Sequence, residues 1–167
     1  MGESSNIFSS KMKYDGIFSF SEFYKFCHEW LKEEAGLSIS EGKYAEKLSG
    51  DAKNIDVEWK GEKKVTDYFK YEVKVVFKII GLKNVEMMKG GAKIKTNTGS
   101  VEVSIKGNLI KDYEGKWEKD AFKKFLRGIY EKWIISSNVE AMENKLVSDC
   151  DEFLGQAKAY LDLEGKK

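Results

Sequence analysis

The sequence predicts an α+β fold: one N-terminal helix, an antiparallel sheet of about five strands in meander order, and two long C-terminal amphipathic helices packed on one sheet face. Three observations predict it. A capping box opens an aromatic helical stripe near the N-terminus, the middle of the chain alternates apolar and polar residues, and helical spacing returns beyond Gly115.

Residues 1–12 are Ser-rich and show no regular period, so they are expected to form a flexible lead ahead of a single α+β domain spanning 13–165. Ser19-Phe20-Ser21-Glu22 then reads as a capping box, in which the Ser19 hydroxyl and the Glu22 carboxylate each satisfy a free N–H. Phe18 and Phe23 occupy the flanking staple positions. Phe20, Phe23, Tyr24, Cys27, Trp30 and Leu31 follow at spacings of three and four, and Gly36 suits the left-handed residue that ends a helix. The helix is expected over about residues 20–35.

From Leu37 to Tyr113 the period moves toward two. Phe69, Tyr71, Val73, Val75, Phe77 and Ile79 share one face, while Lys70, Glu72, Lys74 and Lys78 share the other. Val101, Val103, Ile105 and Leu109 alternate in the same way, and Ile55, Val57 and Trp59 make a third strand. Segments 38–48 and 85–96 are weaker strand candidates. Turn residues separate the runs at Gly50-Asp51, Gly81, Gly90-Gly91 and Asn97-Thr98-Gly99, and such short connections favour antiparallel neighbours.

Beyond Gly115, Trp117, Ala121, Phe122, Phe125, Leu126, Ile129, Tyr130, Trp133 and Ile134 form an apolar face that must be covered. Ser136-Ser137-Asn138 breaks and recaps the helix. Val139, Met142, Leu146, Cys150, Phe153 and Ala157 then continue at helical spacing.

Composition narrows the function. The chain has 167 residues, 41% hydrophobic and 34% charged, with 29 basic residues against 28 acidic ones, so no global field draws it to a polyanion. Residues 53–111 concentrate 13 lysines against 7 acids, which makes the expected sheet the basic part. Only Arg127 supplies the planar fork suited to phosphate. The lysines alternate with Glu58, Glu62, Glu72 and Glu102 as on a solvated face, and Trp59, Phe69 and Tyr71 share parity with core valines; nucleic acid is therefore disfavoured as a partner. No apolar run approaches the ~20 residues of a membrane span, no signal pattern is present, and Cys27 and Cys150 suit buried thiols, so a cytoplasmic location is expected.

No motif carries chemistry. Cys27 and His28 are adjacent on a helix and point about 100° apart, which prevents a nucleophile–base bond. Cys150 stands among Asp149, Asp151 and Glu152, which oppose a thiolate. Gly90-Gly91 and Gly115-Lys116 lack the frame of a phosphate loop. No cofactor and no metal site is expected.

Three functions remain, in this order. The first is a non-enzymatic binding or protein-interaction module. The second is a carrier of a small apolar ligand, in a cavity between the sheet and the 117–134 helix lined by Phe69, Tyr71, Phe77, Trp117, Phe125 and Trp133. The element order is similar to that of small helix-and-sheet domains that enclose an apolar ligand beneath a long C-terminal helix, though no residue motif carries the likeness. The third is a hydrolase-type enzyme using Asp112, Glu114, Glu118 and Asp120, residues that also suit the acidic first turn of a helix.

Overall fold

A computed structural model of the chain describes residues 3–111, 113, 125, 129 and 136–166. In chain order its elements are β1 (Glu3–Phe18), α1 (Phe20–Glu33), β2 (Ser38–Ser49), β3 (Ala52–Lys64), β4 (Phe69–Lys89), β5 (Ala92–Lys111) and α2 (Ser136–Lys166).

The alternating middle of the chain folds as β2 to β5, consecutive antiparallel neighbours, and β1 adds itself beside β5 to give the order β1-β5-β4-β3-β2. The architecture is thus α+β around a five-stranded antiparallel sheet. The expected meander is corrected by one strand, because the first strand closes the sheet on the side of the last.

That strand comes from the segment expected to be a flexible lead. Residues 3–12 pair along β5 from Glu3↔Lys111 to Met12↔Val103, with a bulge between Asn6 and Phe8. The physical reason lies in the residues after the bulge. Phe8, Met12, Tyr14 and Phe18 share a parity that faces the core, and Ser10 and Gly16 interrupt the apolar count without breaking the alternation. A second correction concerns segment 85–96, read as one strand. It is the end of a hairpin, in which β4 turns into β5 at Gly90-Gly91. Both glycines have positive φ, 60° and 81°, as a two-residue hairpin turn requires.

Helix α1 begins as its capping box dictates. Ser19 is extended and its hydroxyl accepts from the Glu22 N–H, Phe18 packs edge-on against Phe23 with centroids 6.2 Å apart, and Gly36 takes φ +70° just past the end. The inner face of the sheet is buried beneath the helices. Phe23 meets Phe77 and Tyr24 meets Trp59, which seats α1 over β3 and β4. Helix α2 lies over β1 and β5 and touches α1. Leu146, Cys150, Phe153, Ala157 and Leu161 form its buried stripe.

Gly107 lets α2 approach β5. A β-carbon there would stand 3.0 Å from Cys150 Sγ and 3.1 Å from Leu146 Cγ, so a larger residue would hold the helix off. The Tyr71 hydroxyl donates to the Met142 carbonyl at 2.7 Å and ties the sheet to the same helix.

The expected 117–134 helix lies almost wholly outside the described residues. Phe125 and Ile129 are helical, and Phe125 is 63% exposed. Among the described residues no helix is long and apolar enough to cross a membrane.

Candidate binding surfaces

The expected apolar cavity comes first. Phe69, Tyr71 and Phe77 are 1%, 4% and 0% exposed on the inner face of the sheet, as their parity requires. They do not line a common chamber. The space between the sheet and α2, bounded by Leu31, Tyr71, Val73, Ile105, Leu146 and Cys150, amounts to about 10 Å³, room for at most one water. An enclosed ligand site needs ~300 Å³ or more. Trp117 and Trp133 lie outside the described residues, and Phe125 faces solvent. Of the six residues, Phe69, Tyr71 and Phe77 thus share the inner sheet face, and the 117–134 helix that would roof a cavity over them lies almost wholly outside the described residues. Asp112, Glu114, Glu118 and Asp120 also lie outside the described residues.

The two thiols are core groups. Cys27 and Cys150 are buried and free, and burial drives the Cys27 thiol well above its ordinary pKa. Burial, helped by the Asp149 charge, lifts Cys150 to about 12. Both are neutral and weakly nucleophilic at ordinary pH. Among the described residues no group of His, Cys, Asp and Glu could hold a metal ion.

The open surface lies at the β2 side of the sheet. Cross-strand register sends Ile39, Glu41, Tyr44, Glu46 and Leu48 to the helix side, opposite Gly61, Trp59, Val57, Ile55 and Lys53. The next strand in, β3, is covered there: Ile55, Val57 and Trp59 are at most 1% exposed. Strand β2 is not. Tyr44 is 43% and Leu48 79% exposed, although α1 reaches the edge strand through Tyr24, which meets Glu41 and the Tyr44 ring.

Between α1 and β2 this leaves a cleft of about 400 Å³ lined by Tyr24, Lys25, His28, Glu29, Ile39, Glu41 and Trp59. Its wall is a fixed polar chain. Trp59 Nε1 donates to the Tyr24 hydroxyl at 3.2 Å, and Tyr24 donates in turn to Glu41 Oε1. The Tyr24 ring stands edge-on to Trp59 at 4.9 Å and to Tyr44 at 6.2 Å, and His28 stands edge-on to Trp59 at 5.5 Å. Burial, reinforced by the bond to Glu41, raises the Tyr24 pKa, so the phenol keeps its proton and its donor role. Tyr44 is pushed up to about 12 by burial and by its 2.9 Å bond to Glu46. Rings held this way form a rigid amphipathic wall with one wet side, a composition common at interface cores.

Sequence reasoning placed Tyr24 and Trp59 in the core and missed the cleft. The signal was present in Ile39, Tyr44 and Leu48, whose alternation is weak, but which strand lies at the edge depends on topology. No protein-family model and no characterised protein sequence matches this chain.

Proposed function

We propose that the chain is a non-enzymatic protein-interaction module that meets its partner on the helix side of β2, at the cleft between α1 and the edge strand. One observation carries the reading: among the described residues the inward face of the edge strand leaves Tyr44 and Leu48 exposed, whereas Ile55, Val57 and Trp59 on the neighbouring strand are fully buried. Unpaired strand edges pair readily with other chains unless they are blunted. Here the outward residues Lys43 and Lys47 and the bulge at Gly42 discourage indiscriminate pairing, while Tyr44 and Leu48 remain available to a specific partner.

Affinity capture with the whole chain, from lysate of its source cells, tests this. Wild type and a Leu163→Glu control, altered at an exposed apolar site on α2, should retain the same stoichiometric partner, and Leu48→Glu should lose it. Leu48 is 79% exposed, so its replacement should leave thermal unfolding within about 0.5 kcal/mol of wild type. Retention of the same proteins by all three chains would overturn the assignment.

A further inference from the structure

We propose that the outer face of the sheet, opposite the helices, is a second docking surface, whose partner is an acidic helical segment of another protein. This goes beyond the β2 reading and rests on a different observation, the register of the lysines.

Strand pairing sets Lys60 directly opposite Lys74, and Lys74 directly opposite Lys106. The row continues to Ser40 on β2 and Ser9 on β1, so three ammonium groups cross the middle of the sheet with hydroxyls at either end. All three lysines are exposed. Like charges directly opposite one another destabilise a sheet. Lys60 is partly relieved by Glu62 at 3.3 Å and Glu72 at 3.8 Å, and Lys74 by Glu58 at 3.9 Å. Among the described residues Lys106 pairs with no carboxylate. Two shallow depressions, of about 320 and 280 Å³, meet at Glu58, Lys74 and Lys106, which makes the row the floor of one concave stretch.

The chemistry of the occupant follows from spacing and from what flanks the row. Neighbouring strands lie ~4.8 Å apart. Carboxylates three or four residues apart on a helix lie ~5–6 Å apart, so a helix laid across the strands can set successive acidic side chains against Lys60, Lys74 and Lys106. Val76, half-buried beside Lys74 on the same face, offers such a helix one apolar contact. A nucleic-acid backbone fits worse. The planar fork best suited to phosphate is missing from the row, since the only arginine, Arg127, is not on these strands. An anionic membrane surface would cover Glu58, Glu62 and Glu72 together with the row, whereas a helix about 10–12 Å wide can lie along the row alone.

The probe is a labelled alanine-rich peptide of about 20 residues, long enough to hold a helix, with glutamate at every fourth position. Its glutamine counterpart, a single-stranded oligothymidine and phosphatidylserine vesicles serve as the other arms. The whole chain should bind the glutamate peptide in preference to all three, in a salt-sensitive manner. The double variant Lys74→Gln/Lys106→Gln should weaken that binding about tenfold or more, and Lys89→Gln at the hairpin end should not. Should the double variant unfold, Lys106→Gln alone, which removes no ion pair, still reads the effect. Lys74→Gln should leave the Tm unchanged or raise it, because it relieves like-charge pairing.

Equal affinity for the glutamate and glutamine peptides overturns the proposal, as does unchanged binding by Lys106→Gln. Tighter binding of the oligonucleotide or the vesicles, or a lowered Tm for Lys74→Gln, overturns it too.

Discussion

Gly107 gives the sharpest test of how α2 is seated. Valine at this position would place its β-carbon 3.0 Å from Cys150 Sγ and 3.1 and 3.3 Å from Leu146 Cγ and Cδ1, with two methyls beyond it. Overpacking of this kind costs roughly 1–3 kcal/mol. Replacing a strand glycine returns about 0.5–1 kcal/mol of backbone entropy. Gly107→Val should therefore destabilise the chain by about 1–2 kcal/mol, seen in urea as a lower midpoint with an unchanged slope. Leu146→Ala alone should cost about 2–5 kcal/mol, because it empties a site that is 1% exposed. In the double variant the valine occupies part of that volume. The combined loss should then fall short of the sum by about 1–3 kcal/mol. Additive losses, or a Gly107→Val chain within about 0.5 kcal/mol of wild type, would refute the claim that this glycine sets the approach of α2.

Two further outcomes follow from the same packing. Tyr71→Phe removes the 2.7 Å bond to the Met142 carbonyl and should cost about 1 kcal/mol in urea unfolding, with the helix content by circular dichroism unchanged. The Cys27 and Cys150 thiols should be inert to a disulfide reagent at about pH 8 in the native chain and should both react in urea. Their raised folded pKa also sets a sign for stability: its contribution is complete below the unfolded-state thiol pKa of about 8.5 and is lost as pH rises toward about 12. Tyr44 and Tyr160, each raised to about 12 with burial the leading cause, act in the same direction. Urea midpoints should thus be level from about pH 6 to 8 and fall above about pH 9; a midpoint rising with alkali would contradict this assignment.

What could be read from the sequence follows from where local rules act alone. The start of α1 is written in four residues, and the Ser19 half of its cap, the Phe18–Phe23 staple and the left-handed Gly36 appear in the structure. The inward faces of β3, β4 and β5 are equally plain, because both neighbours of each strand are strands and alternation has nothing to compete with. Strand β1 was harder. Ser10 and Gly16 stand at inward positions and a bulge shifts the parity before Phe8, so its period is weak until β5 supplies a partner. Segment 85–96 alternates because both arms of a hairpin do, and only Gly90-Gly91 separates them. Nothing local marks β2 as the strand whose inward Tyr44 and Leu48 stay exposed. That depends on which strand ends at the edge, a property of the whole sheet, and it is why the cleft of Tyr24, Glu41 and Trp59 escaped notice while its residues were correctly placed near the core.

The lysine row separates what folding dictates from what it leaves free. Buried side chains fix the register: a slip of one residue on β4 would send Val73, Val75 and Phe77 outward and Lys74 and Lys78 into the core. Register therefore determines that positions 60, 74 and 106 lie side by side on the outer face. It does not determine which residues stand there, since a threonine or a glutamate at position 74 would satisfy the same pattern and remove the like-charge contacts. Glu62 directly opposite Glu72 repeats the arrangement with the sign reversed, whereas Asp56, Lys78, Glu102 and Lys13 lie opposite one another in alternating sign on the same face. The row from Asp56 to Lys13 sets opposite charges across each strand pair and so serves the sheet itself, which the lysine row does not. Rows of one sign are the arrangement that leaves net charge available to another molecule.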